Sequence, residues 1–235
     1  MNVVFGAAAL SILYAYKYRL ELRHLICALS LGATFYFYGA TDGRGGFYFL
    51  LLFVALAILL PALLHYPGFS LILISLPVIL LGATFWIASQ AGNKQLNDTL
   101  SFRPIIYRNF IESFSTPDLL LSASVKQFDA IRSIDNSYLH LLIGLGLPVF
   151  AFICILWGFA MRELMRTGRT LEIAFLCTTA GYGYSESILL RMENVFVIFF
   201  WLLILRSALA GSSDTLRIPP AANCDSTARS RHQMP

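Results

Sequence analysis

Apolar residues in this chain fall into seven blocks, at residues 3–16, 25–39, 47–64, 69–88, 138–161, 171–190 and 195–209. Short polar segments part most of them, and one long polar segment, 89–136, separates the fourth from the fifth. Within each block the apolar residues run on without alternation, and at these lengths they predict helices rather than strands. A helix that crosses the hydrocarbon layer of a bilayer needs roughly 17 to 25 residues. The first, second and last blocks reach that length by drawing in flanking residues and tilting little. The pattern predicts an all-α protein, a polytopic bundle of about seven transmembrane helices over residues 1–209, with the bilayer as its solvent.

The long polar segment has a pattern of its own. Ser101-Phe-Arg-Pro-Ile-Ile-Tyr-Arg-Asn-Phe-Ile-Glu-Ser-Phe114 reads as an amphipathic helix, with Ser101 placed to cap it and Pro104 in its first turn. Ile106, Phe110, Ile111 and Phe114 recur on one face at helical spacing, and Thr116-Pro117-Asp118 is expected to end the helix. Such a helix would lie across the end of the bundle with its apolar side down. Residues 210–235 are rich in Ser, Ala, Pro and Arg without apolar period, which predicts a disordered tail.

Composition supports the membrane reading. Of the 235 residues 57% are hydrophobic and 13% charged, against the roughly 25% charged residues of a soluble domain. The net charge of +4 includes no basic run of the kind that binds nucleic acid. Its distribution matters more than its size. Lys17, Arg19 and Arg23 lie between blocks one and two, Arg162, Arg166 and Arg169 between five and six, and Arg206, Arg217, Arg229 and Arg231 at or after block seven. Only Arg44 and Arg191 lie in the short segments of the opposite side. Basic residues stay in the cytoplasm, so the N-terminus and segment 89–136 are expected outside and the tail inside. Only Met1 and Asn2 precede block one, which therefore lacks the positive start of a signal peptide and reads as a span. A chain truncated upstream gives the same pattern. Cys27, Cys154 and Cys177 fall in apolar blocks and Cys224 in the tail; no metal-ligand or disulfide spacing connects them, and they read as packing residues.

Under this topology the candidate chemistry gathers at the outer ends of the helices. Arg44 lies in Thr41-Asp-Gly-Arg-Gly-Gly46, Arg103 opens the amphipathic helix, and Asp135-Asn-Ser-Tyr-Leu-His140 runs into block five. Glu186, Arg191, Glu193 and Asn194 lie at the outer end of block six. Charged groups at membrane depth are costly unless paired or wet, and so mark candidate sites. Each has a plainer reading as well. Arg44 can be an interfacial loop residue, Arg103 a snorkelling side chain, Asp135 and Asn136 helix caps, His140 a packed histidine, and Glu186 a partner of Arg191.

Taken in order, these pieces resemble the C-terminal half of the O-antigen polymerases and the related O-antigen ligases. Gly43-Arg44-Gly45, Leu100-Ser-Phe-Arg103 and Asp135-Asn-Ser-Tyr-Leu139, followed by Leu-Ile-Gly-Leu-Gly146, match the family's arginine turn, loop opening, loop end and glycine-containing span. Glu186-Ser-Ile-Leu and Asn194-Val-Phe resemble its later Glu and Asn positions. The resemblance covers residues 25–209. It departs from the family at Gly43, where a Ser is usual, at Leu121-Ser-Ala-Ser124, where a Gly-x-Gly is usual, and in having fewer spans.

The resemblance implies a metal-independent, cofactor-free membrane glycosyltransferase of the bacterial inner membrane, with a periplasmic N-terminus and a cytoplasmic tail. It would polymerise polyprenyl-pyrophosphate-linked oligosaccharides into O-antigen, capsule or exopolysaccharide, in the company of a flippase and a chain-length regulator. Arg44 and Arg103 would bind the pyrophosphate and stabilise it as leaving group. Asp135, with His140 as second choice, would serve as base for the acceptor hydroxyl. Asn136, Tyr138, Glu186, Arg191 and Asn194 would line the substrate site. Three alternatives stand beside this. A ligase resembles the chain less, because Asp135 occupies its histidine position. A transporter of the same lipid-linked glycans predicts mid-span polar residues and inverted repeats. The third is a membrane protein without activity.

Overall fold

The computed structural model describes residues 8, 25–26, 28–33, 35–36, 44–121, 135–186, 188–190 and 195–215. Every regular element among them is helical. In chain order these are α1 (Arg44–Leu63), α2 (Pro67–Ser89), α3 (Lys94–Thr99), α4 (Arg103–Glu112), α5 (Thr116–Leu121), α6 (Ser137–Arg166), α7 (Thr170–Ser185) and α8 (Val195–Thr215). The described residues between 25 and 36, from the second apolar block, are helical too. Block one, apart from Ala8, lies outside the described residues, and the count of seven spans therefore rests on the sequence.

The long helices pack around α6, which touches α2, α5, α7 and α8, and runs antiparallel to α2, with Trp157 beside Leu73 and Asn136 beside Thr84. Helix α1 packs on α7, and α4 on α2. The core between them is made of side chains from every long helix, including Leu50, Phe53, Leu73, Trp157, Met161, Ile173, Phe175, Phe200 and Ile204. Two indole groups fasten it: Trp157 Nε1 donates to the Leu73 carbonyl at 2.9 Å, and Trp201 Nε1 to the Leu189 carbonyl at 2.8 Å. Buried donors in apolar surroundings need such partners, because leaving one unmade costs the full desolvation of the group.

Helix α6 is two helical pieces joined at Gly146, whose φ of 80° and ψ of 163° are not helical. Pro148 follows immediately. The break removes the clash that a proline ring makes inside a continuous helix, so the Gly-Leu-Pro sequence sets the kink.

Helices α2 and α6 are long and apolar enough to cross a membrane, and Phe47–Leu63 and Phe196–Ala210 are shorter apolar helices. Much of this apolar surface faces outward. Ile58 (71% exposed) on α1, Leu71 (67%) and Trp86 (61%) on α2, Phe152 and Phe159 on α6, and Leu202 and Leu209 on α8 all project from the bundle. The largest apolar patch on a typical soluble monomer is about 300–600 Å². Bulky apolar side chains are thus exposed on four of the described helices.

The structure moves several expected boundaries. Block six stops at Ser185 rather than residue 190, because Glu186 is extended (φ −146°, ψ 148°). Helix α8 continues to Thr215, so the first residues of the expected tail are helical. Ser101 does not cap the amphipathic helix. The cap position is Phe102, with no side-chain cap bond, and Ser101 and Phe102 both take positive φ, 52° and 61°. That left-handed turn delays the helix start to Arg103. Thr116-Pro117-Asp118 does not merely end α4 but opens α5, as a proline in a first turn does. The buried face of α4 is Pro104, Tyr107 and Phe110, with Ile111 and Phe114 partly covered, while Ile106 points outward at 45% exposure. The face is rotated from the expected one: Tyr107, not Ile106, packs with Ala88, Leu139 and Ile143.

Candidate functional site

One end of the bundle collects the C-terminal end of α2, helices α3 to α5, the start of α6 and the end of α7. Asn136 begins α6 as its N-cap. Its side-chain oxygen accepts from the backbone N–H groups of Tyr138 (3.0 Å) and Leu139 (3.1 Å), and its Nδ2 donates to Thr84 Oγ1 at 3.1 Å. Those are two of the four backbone donors that a helix start leaves unpaired. The next residue, Ser137, ties α6 to the segment after α7: its Oγ donates to the Glu186 carbonyl at 2.8 Å and accepts from Leu189 N–H at 3.1 Å. Asn136, Ser137 and Thr84 are fully buried. Gly183 lets this segment lie close, since a Cβ there would stand 2.7 Å from Leu189 carbons.

Arg103 is held over the same place. Its Nη2 donates to the Ser185 carbonyl at 3.2 Å, bridging the start of α4 to the end of α7, and the side chain is half-buried. One turn on, Tyr107 donates its hydroxyl to the Asp135 carbonyl at 3.4 Å. The Asp135 residue itself is exposed. Arg103 and Asp135 are therefore each one hydrogen bond from the junction of α4, α6 and α7. Further along α4, Glu112 accepts from Arg108 at 2.8 Å and raises that guanidinium's pKa, but this pair faces solvent away from the junction.

The other expected site residues divide clearly. Tyr138 is buried, and its hydroxyl donates to the Ala180 carbonyl at 3.0 Å inside the bundle. Asn136 is taken up by capping. Among the described residues the polar side-chain groups of both are engaged within the bundle. His140 is buried one turn into α6, beneath the surface that Asp135 occupies. Glu186 is half-buried, its backbone engaged by Ser137. Arg44 opens α1, and its side chain lies outside the described residues, as do Arg191 and Asn194.

The backbone nonetheless fixes the end at which Arg44 lies. Phe49 stacks on Tyr182 with ring centroids 4.7 Å apart. From that contact Arg44 is about 7.5 Å further along α1, and Ser185 about 4.5 Å further along the antiparallel α7, at 1.5 Å per residue. Both steps lead toward the same end, so the Arg44 backbone and the Arg103 guanidinium share one end of the bundle.

Sequence reasoning missed Ser137, Thr84, Ser185 and Tyr107, which assemble the junction. The sequence gives no signal that singles out Thr84, which shares its apolar block with Ser70 and Ser75. The Thr84 hydroxyl donates back to the Leu80 carbonyl at 3.0 Å, leaving a lone pair for Asn136. Among the described residues no group of His, Cys, Asp and Glu side chains is arranged to hold a metal ion.

Compared with protein-family models, curated proteins and solved structures, the chain matches none.

Proposed function

We propose that the chain is a polytopic membrane glycosyltransferase that extends polyprenyl-pyrophosphate-linked glycans. The observation that carries the reading is the junction itself. The half-buried Arg103 of α4, bonded to the Ser185 carbonyl, and the exposed Asp135 before α6, whose carbonyl accepts from Tyr107, lie at the same end of an apolar bundle, where a lipid-linked pyrophosphate would lie. Seven alternating spans, the outer placement of this junction and the inner-membrane location belong to the same proposal. The two helices long and apolar enough to cross a membrane, α2 and α6, support them, as do the basic residues Arg162, Arg166 and Arg169 around the end of α6.

In this reading the Arg103 guanidinium, with Arg44 from the head of α1, takes the pyrophosphate oxygens in bidentate fashion. The acceptor hydroxyl oxygen attacks the anomeric carbon of the donor. The bond from that carbon to the pyrophosphate oxygen breaks, and its electron pair leaves on the pyrophosphate. Arginine charge stabilises the leaving group as it forms, and Asp135 takes the hydroxyl proton. Exposure favours Asp135 over the buried His140 as the base.

The test is polymer chain length in cells whose surface glycan depends on this gene. Arg103→Lys keeps the charge and loses the planar fork; with Asp135→Asn it should reduce polymer output on the order of 100-fold, as loss of one transition-state donor does. Protein levels should stay normal. Wild-type chain lengths from both variants, at normal levels, overturn the proposal.

A further inference from the structure

At the end of the bundle opposite the junction, a groove of about 380 Å³ runs between α2 and α6. Ile74 of α2 and Ile155, Gly158, Phe159 and Arg162 of α6 line it. The four α6 residues fall on one stripe, at spacings of three and four. The groove exists because residue 158 is a glycine: a Cβ there would find only Ile74, at 3.6 Å. Its floor is pinned next door by the bond from Trp157 Nε1 to the Leu73 carbonyl, so the two helices cannot close over it. The volume falls within the range of about 300–1,000 Å³ typical of small-ligand sites.

Charge distinguishes this groove from the remaining apolar surface. Arg166 is paired with Glu163 at 2.9 Å and Arg169 with Glu172 at 3.0 Å. Among the described residues Arg162 has no such carboxylate partner, and it stands at the mouth of the groove. The site thus offers an apolar channel along the helices, ending in an unneutralised guanidinium at the basic end of the bundle.

We propose that an anionic phospholipid occupies it, one acyl chain in the groove and its phosphodiester on Arg162. An anionic phospholipid carries both parts in one molecule, the anion that Arg162 requires and the chain that the groove accommodates. Basic pockets between spans on the cytoplasmic side take such head groups. Acyl chains are everywhere in the bilayer, so the selectivity rests on the arginine, while the groove fixes the position. The inference rests on the membrane-spanning reading of α2 and α6 and is independent of the glycosyltransferase chemistry.

The full-length chain is reconstituted in vesicles of equimolar phosphatidylcholine and phosphatidylglycerol and extracted in mild detergent. Native mass spectrometry then counts the lipids retained. Wild type should retain phosphatidylglycerol in preference to phosphatidylcholine. Arg162→Gln should lower that preference about fivefold, the factor that one basic side chain supplies at an anionic surface. Gly158→Leu, which fills the groove, should lower it too, and Arg166→Gln should leave it in place. Inorganic phosphate should not displace the lipid. An undiminished preference in Arg162→Gln overturns the proposal, and so does an equal loss in Arg166→Gln, which signals diffuse surface charge. Displacement by phosphate overturns the acyl-chain half. Failure of the membrane reading is a separate result, seen as a chain that does not float with vesicles of either lipid.

Discussion

Gly146 holds a backbone conformation that only glycine adopts without strain, φ 80° with ψ 163°. The kink it makes lets Pro148 follow, and the upper piece of α6 carries Asn136 and Ser137 to the junction. Replacing it with alanine forces either a strained residue or a straightened helix. Gly146→Ala should therefore lower stability by about 1–3 kcal/mol, the usual cost of such strain, measured as a lower thermal midpoint in detergent. An unchanged midpoint would mean that α6 is not kinked there. A glycine can be read from the sequence, but its positive φ cannot, since the same residue inside an apolar block also serves simply to let helices approach. The charged residues are legible because Arg103 opens the amphipathic helix and Asp135 stands immediately before an apolar block. Ser137 is not, because a serine beside a helix cap is ordinary and its bonds to Glu186 and Leu189 join residues about 50 positions apart.

Among elements, the helix starts decide where the junction lies. Asn136 caps α6 and also reaches Thr84 on α2, so one side chain sets both the first turn of a helix and its distance from a neighbour. Asn136→Ala removes the cap and leaves Thr84 without that donor. The expected loss is about 1–2 kcal/mol for the cap, with faster amide exchange at Tyr138 and Leu139, whose N–H groups it satisfies. Asn136→Asp keeps the acceptor and should recover most of the protection. If the alanine variant exchanges no faster, the cap is not what orders this turn. Apolar blocks located the described long helices well, because an apolar run extends along the whole helix whatever the caps are, even in α2, which buries only Leu73, Pro77, Thr84 and Ala88. They failed at the ends of α4 and α7, where the outcome depends on a left-handed turn at Ser101 and Phe102 and on the extended Glu186. Those conformations are imposed by contacts from elsewhere in the chain, and no local propensity announces them.

At the scale of the whole molecule, the fold is polarised. Residues 89–121, the cap of α6 and the end of α7 share one end, while Arg162, Arg166 and Arg169 share the other. The all-helical class was legible from block length alone, and the ordering of ends followed from simple alternation. Charge argues the sidedness of the bundle. An arginine-rich end resists translocation, so the short loop of residues 166–170 should face the cytoplasm and α3 the outside. Gln95 and Thr167 are both exposed and lie at these opposite ends. In a chain whose native cysteines are changed to alanine, Gln95→Cys should react with an impermeant thiol reagent in intact cells. Thr167→Cys should react only after the membrane is opened. The reverse pattern would invert the orientation and put the arginine–aspartate junction in the cytoplasm, where polymerisation of exported glycans could not use it. Labelling of both positions in intact cells would mean that α2 and α6 do not cross the bilayer, and their exposed Leu71, Trp86, Phe152 and Phe159 would then need another apolar surface to cover them.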